Sequence, residues 1–212
     1  STLMRSSAAS DVYKRQNINA FELGAKSVNP DATTSVIFTG SWSDPALQTS
    51  SANTLIDKGI DVIAQHQDST KTIVELCEQK GVYCVGDHAD ASELAPNTWL
   101  TGAVWHWDDL FIDMVQTAID GKFDGSKYDG KYRGGLKEGV VDIAPFGKSV
   151  SEDTQKKIEE EKDKMINDDY NPFSDEIKDQ KGNIVCKKGQ TLTIDEIESM
   201  DYLVDGVIGS TK

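Results

Sequence analysis

Apolar positions along this chain gather in short β-branched or aromatic blocks, and between the blocks they recur at helical spacing. Ala20-Phe21-Glu22-Leu23-Gly24-Ala25 is amphipathic and is closed by Asn29-Pro30, a helix-stop signal. The run over 34–39 predicts a buried strand. Asp44-Pro45 predicts a helix start, with Asp as the cap and Pro at the first helical position, and Lys58-Gly59 predicts its end. Asp61-Val62-Ile63-Ala64 reads as the next strand, 70–80 as a helix ending at Lys80-Gly81, and Val82-Tyr83-Cys84-Val85 as a strand stopped by Gly86-Asp87. A further strand spans Leu100 to Trp105 and an amphipathic helix 107–121. Short strands alternating with longer helices predict βαβ units around a parallel sheet, and so an α/β fold.

The last third has a different rhythm. Glu138 to Phe146 reads as a strand, and 151–167 as a highly charged helix opened by Ser151 with Glu152 and Asp153 in its first turn. Residues 178–185 predict a hairpin turn between two strands, followed by a short acidic helix capped by Thr193.

This pattern places four unusual loops after strands. They are Ser41-Trp42-Ser43-Asp44, His66-Gln67-Asp68-Ser69, Gly86-Asp87-His88-Ala89-Asp90, and the stretch from Thr101 through Trp105 and His106 to Trp107. In open parallel sheets, ligands collect beyond the carboxyl ends of the strands. Flat aromatic faces with a few polar groups are the make-up of a small-molecule pocket. Each part also has a plainer reading. Asp44 and Asp68 suit helix caps, the tryptophans suit core or staple positions, and His66, His88 and His106 suit the surface. The signal is their coincidence at strand ends. A metal set can be drawn from His66, Asp68, Asp87, His88 and Asp90, but no spacing singles it out. No GxSxG, GxxxxGK[ST] or GxGxxG pattern is present, so the loops read as holding a ligand without transforming it, and no cofactor is implied.

Composition narrows the partners. The 212 residues are 37% hydrophobic and 27% charged, as in ordinary globular proteins. A net charge of −14 argues against nucleic acid and anionic membrane surfaces. No apolar run approaches the ~18–20 residues of a membrane span. Cys77, Cys84 and Cys186 show no metal-ligand spacing; Cys77 and Cys84 fall at apolar positions and read as small buried hydrophobes.

The first sixteen residues, STLMRSSAASDVYKRQ, carry three basic residues against one acidic and no hydrophobic period. They lack the apolar stretch of a signal peptide and read as a leader foreign to the fold, such as translated adaptor sequence, with the fold beginning near Asn17.

From Asn17 to Ser210 the chain resembles the basic membrane protein family, the purine-nucleoside-receptor-like substrate-binding proteins of ABC transporters. INAFELGAKSVNPDA, TGSWSDPALQ, GIDVIAQHQDS, GVYCVGDHADASELAPNTWLTGAVW, GGLKEGVVDIAPF, NPFSDEIKDQKGNIVCKKGQTL and SMDYLVDGVIG carry the likeness. The resemblance implies a type I periplasmic-binding-protein fold, in which two Rossmann-like lobes close on a purine base or nucleoside clamped between rings. It further implies an extracytoplasmic lipoprotein or periplasmic protein delivering to a membrane permease. Family members are longer at the N-terminus. On this likeness, the chain holds mainly the second lobe in 17–105. Residues 106–137 would pack on a first lobe, and 138–212 would complete the fold. The helix at 107–121 is then expected to expose an apolar face and to favour self-association.

Carried onto these positions, the ligand would meet Trp42, Trp105 and Trp107, with Gln67 and Asp68 reading polar edges of the ring and Asp87 and Asp90 either holding the hinge-side loop or meeting the ligand directly. Trp105 stands where nucleoside-binding members have a lysine that contacts the sugar, which favours a free base over a nucleoside. The remaining alternatives are a different heterocycle or polar metabolite, a cytoplasmic ligand-sensing domain, and an enzyme on a similar sheet.

Overall fold

The computed structural model describes residues 8–123, 132 and 134–210; the first seven residues of the expected leader and the middle of the 106–137 segment lie outside these residues. The central sheet has the order β2-β3-β4-β5. β2 (Val62–Ala64), β3 (Tyr83–Gly86) and β4 (Trp99–Trp105) run parallel, as the alternating pattern predicts. β5 (Val141–Ile143) pairs antiparallel with β4.

α2 (Pro45–Asp57) begins at the expected cap: the Asp44 carboxylate accepts the Ala46 and Leu47 N–H groups at 2.9 and 3.1 Å. α3 (Lys71–Lys80) ends on Gly81 in the left-handed conformation. Its opening departs from expectation, because the cap position is Thr70 and Asp68 is left out of the helix. Both helices pack on the sheet around Ile63, Ile73, Val74, Cys77, Cys84 and Trp99. Cys77 and Cys84 are buried and unpaired, as small core residues are expected to be.

A second core joins sequence-distant elements. α1 (Ala8–Val28) starts earlier than its apolar period suggests and crosses the expected boundary at Asn17. It packs with β6 (Ile177–Lys178), β7 (Ile184–Cys186), α6 (Ile194–Glu198) and β8 (Val207–Ile208), around Ile18, Phe173, Met200 and Val204. Fully buried Asn19 fastens this unit: its amide donates to Tyr202 O at 3.0 Å and its Oδ1 accepts the Val204 N–H at 3.0 Å. β6 and β7 form the expected hairpin, and Thr193 with Glu196 forms a complete capping box.

Two strands are shorter than predicted. β1 (Thr34–Ser35) pairs in parallel with β8, outside the central sheet. Val36 N–H still reaches Ile208 O at 2.9 Å, but Thr39 and Gly40 (φ +75°) then turn the chain into the Trp42 loop. The strand expected over 138–146 reduces to β5, preceded by a turn through Gly139 (φ +72°). The charged helix α5 (Glu152–Ile166) is capped by Ser151, whose hydroxyl accepts the Thr154 N–H at 3.2 Å.

α4 (Asp108–Ile119) has one buried residue, Leu110, while Phe111, Ile112, Val115 and Ile119 are exposed. Among the described residues, this is the exposed apolar face that the family resemblance leads one to expect.

Trp99 sets the spacing at the site end of the sheet. Its ring lies against Gly86, where any Cβ would overlap the indole. Gly86→Ala is expected to cost about 1–3 kcal/mol through overpacking, read as a lower midpoint in urea unfolding; an unchanged midpoint would mean the indole is free to shift.

Candidate ligand-binding site

The carboxyl ends of the strands carry a continuous row of rings. Trp42 meets His66 edge-on with centroids 6.0 Å apart, and His66 meets His88 at 6.1 Å. His88 lies 6.5 Å from Trp105, which stacks on Trp107 at 5.4 Å and 7°. Phe111, one helical turn beyond Trp107, continues the stack at 5.9 Å. Trp105 and Trp107 are 37% and 44% exposed, so the row presents a wall.

Local hydrogen bonds hold the row in place. Trp42 O accepts the Asp68 N–H at 3.1 Å and the Gln48 side-chain amide at 3.3 Å, which ties the Trp42 loop to the loop after β2. Trp105 N–H donates to His88 O at 3.4 Å, which joins the ends of β3 and β4. His88 adopts φ +71°, an uncommon conformation for a residue with a Cβ, and of the kind that collects at functional sites.

The remaining expected contacts divide. Asp87 sits within the row: its Oδ2 is buried without a hydrogen-bond partner, 3.7 Å from His66 Nε2 and 3.3 Å from His88 Nε2. Gln67 is fully buried; its Oε1 accepts from Gln48 at 2.9 Å and its amide donates to His66 O at 3.0 Å. Asp68 is exposed at the rim. Asp90 is exposed too, and its Oδ1 accepts the Ser92 N–H at 2.9 Å, capping the short 3-10 turn Ser92–Leu94. His66, Asp87 and His88 also bring three potential metal-ligand atoms within 4.8 Å of one another.

Two features escaped the sequence reading. Phe111 continues the row, a connection its i+4 spacing from Trp107 could have signalled. Asn17 approaches His66 Nδ1 at 3.3 Å, for which no local pattern exists. A concavity of about 790 Å³ lies away from the row, between 135–138 and 165–174. Its charged Lys137 and Asp168 pair with each other at 2.6 Å, so it offers less unsatisfied chemistry than the ring row.

Residues 9–171 match the family model of PnrA-like ABC transporter substrate-binding proteins. The chain belongs to this family. It is 36% identical over 192 residues to a purine-binding protein of Brucella abortus, covering 91% of this chain and 53% of that protein. It is 31% identical over 159 residues to a putative ABC transporter glucose-binding protein of Haloferax volcanii, covering 75% of this chain and 39% of that protein. The chain thus spans about half or less of these relatives. The solved ABC transporter solute-binding protein of Conexibacter woesei superposes with a TM-score of 0.60 at 15% identity, over 80% of this chain and 55% of that one. These likenesses establish the periplasmic-binding fold anticipated from the resemblance. The family is one of substrate-binding proteins and is not an enzyme class. Among the described residues, no helix is long and apolar enough to cross a membrane.

Burial raises the Asp87 carboxyl above the usual carboxylate range; the charges of His66 and His88 and a His88 backbone hydrogen bond oppose this without cancelling it. A carboxyl with a raised folded-state pKa holds its proton more tightly folded than unfolded, so stability falls as pH rises from the ordinary Asp value through the raised one. In chelator-treated buffer, Asp87→Asn is therefore expected to be more stable than the parent above that window and to lose the advantage below it. Urea midpoints measured across pH check this, and a constant difference would remove burial as the cause.

Proposed function

We propose that this chain is the ligand-holding part of an ABC transporter substrate-binding protein for purines, with a free base favoured over a nucleoside. The supporting observation is the ring row across the strand ends, with Asp87 in its middle. An aromatic wall recognises a flat heterocycle by stacking, worth about 0.5–1.5 kcal/mol per pair beyond area burial. A carboxylate within the wall can accept a ring N–H, a charged hydrogen bond of about 1.5–3 kcal/mol. Trp42, Trp105 and Trp107 supply faces in this reading. Asp87 reads the ring edge, Asp68 and Asp90 stand at the rim, and Gln67 braces the Trp42 loop. The name of the Brucella relative points to the same ligand class. The indole of Trp105 offers no ammonium to a sugar, which is the ground for preferring the base.

The expected partner is a membrane permease, and the expected place is outside the cytoplasm, as a lipoprotein or periplasmic protein. Calorimetric titration with adenine, adenosine and glucose tests the reading. Adenine is expected to bind more tightly than adenosine, with Trp42→Ala and Trp105→Ala each weakening it at least tenfold. A preference for adenosine would overturn the base assignment, and binding of glucose alone would overturn the purine reading.

The exposed face of α4 is expected to bring copies of this chain together. Sedimentation velocity should show concentration-dependent association, reduced by Ile112→Lys and Val115→Lys. A monomer at all concentrations would contradict it.

A further inference from the structure

The loops after β2 and β3 aim two imidazole nitrogens at one carboxylate oxygen. His66 Nε2 and His88 Nε2 lie 3.7 and 3.3 Å from Asp87 Oδ2, and that oxygen is buried with no hydrogen-bond partner. Both separations exceed what a good N–H···O bond prefers. Neighbouring ligands of one tetrahedral ion, with donors about 2.0–2.1 Å from zinc, stand roughly 3.3–3.4 Å apart; the His88 separation meets this spacing and the His66 separation exceeds it by a few tenths of an ångström, within reach of a small side-chain adjustment. We propose that His66, Asp87 and His88 form a binding site for a transition-metal dication of the zinc or nickel type.

Three further observations fit such an ion. The His88 side chain is 37% exposed against 18% for His66 and 14% for Asp87, so the set is open on one side, leaving room for water or another ligand. The strained φ of His88 brings its ring to this spot, a conformation that needs a local reason. Asn17, 3.3 Å from His66 Nδ1, supplies a supporting contact. The atom facing the ring is the amide nitrogen; a half-turn of the Asn17 amide on metal binding would bring its oxygen to accept the Nδ1 proton and leave the Nε2 lone pair for the metal. Imidazole nitrogens select zinc, nickel or copper over magnesium and calcium. The net charge of −14 also favours cation capture. This inference needs no purine, although the ion and a bound base would both call on the Asp87 carboxylate.

The test uses chelator-stripped chain titrated with zinc, nickel and magnesium chlorides in calorimetry, with the thermal midpoint followed in parallel. One zinc per chain is expected, with a raised midpoint and no response to magnesium. His66→Ala, Asp87→Asn and His88→Asn should each weaken zinc at least tenfold, while exposed His106→Ala should leave it unchanged. Asn tolerates the left-handed backbone at position 88, and circular dichroism of each variant separates lost binding from lost folding. A folded chain that fails to bind zinc overturns the proposal. So does a folded His66→Ala/His88→Asn double variant that binds as the parent does, since the ion would then sit elsewhere, such as on the buried thiols.

Discussion

The presentation of the ring row depends on how closely β3, β4 and the chain after β5 can approach the indole of Trp99. That ring is 2% exposed, and its Nε1 donates to Pro145 O at 3.1 Å. Burying an indole of some 150–250 Å² stabilises the fold by about 4–6 kcal/mol at most. The ring fits because three neighbours lack side chains. Gly86 lies beneath it, Gly102 would put a Cβ 2.9 Å from the Gly86 backbone, and Gly147 passes against the Trp99 carbonyl. Around this clamp, Gly147 N–H donates to Leu100 O at 2.8 Å and Ala144 N–H to Gly102 O at 2.7 Å. The Glu78 carboxylate holds the start of β4 through Asn97 and Thr98. With β4 fixed at its beginning and along its length, Trp105 can stand at its end as a rigid face.

Local chemistry explains which parts of this could be read from the sequence. Asp44-Pro45, Gly81 and the Thr193–Glu196 pair act within a few residues, so the caps and helix ends they specify are visible in the chain itself. The parallel β2-β3-β4 order follows from alternation, because a short strand followed by a helix has few ways to return to the same sheet. The partner of β1 was hidden, since β8 lies near the other end of the chain and nothing local encodes the pairing. Gln67 was equally opaque. A polar residue in a loop reads as exposed, yet a second buried amide, Gln48, satisfies it inside the protein.

The site shows the same division. That aromatic and acidic residues cluster at strand ends was legible, because strand ends can be placed from pattern alone. That Asp87 would lie between two imidazoles was not. His66 and His88 sit on different loops, and their convergence needs β2 and β3 to be neighbours in register, with Ala64 opposite Val85. The left-handed turn at His88 completes it, and no motif announces that turn.

A buried carboxylate oxygen without a donor is costly, and more so in a chain already strongly acidic. Its neighbours could have removed the cost, since a serine or a backbone amide at 2.9 Å would satisfy the oxygen outright. Two rings approach it instead, both too far for a good hydrogen bond, and one stands on strained backbone. That arrangement holds the negative charge ready for something from outside. A ring N–H of a flat ligand and a metal dication are alternative ways of meeting the same demand, and they differ in which atom of the imidazoles they need. A stacked base uses the rings as surfaces and is indifferent to the Nε2 lone pairs, whereas a metal uses those lone pairs and is indifferent to the faces. The two proposals therefore share the Asp87 carboxylate and differ in the rest: a base needs the faces of Trp42, Trp105 and Trp107, whereas a metal needs the Nε2 lone pairs of His66 and His88.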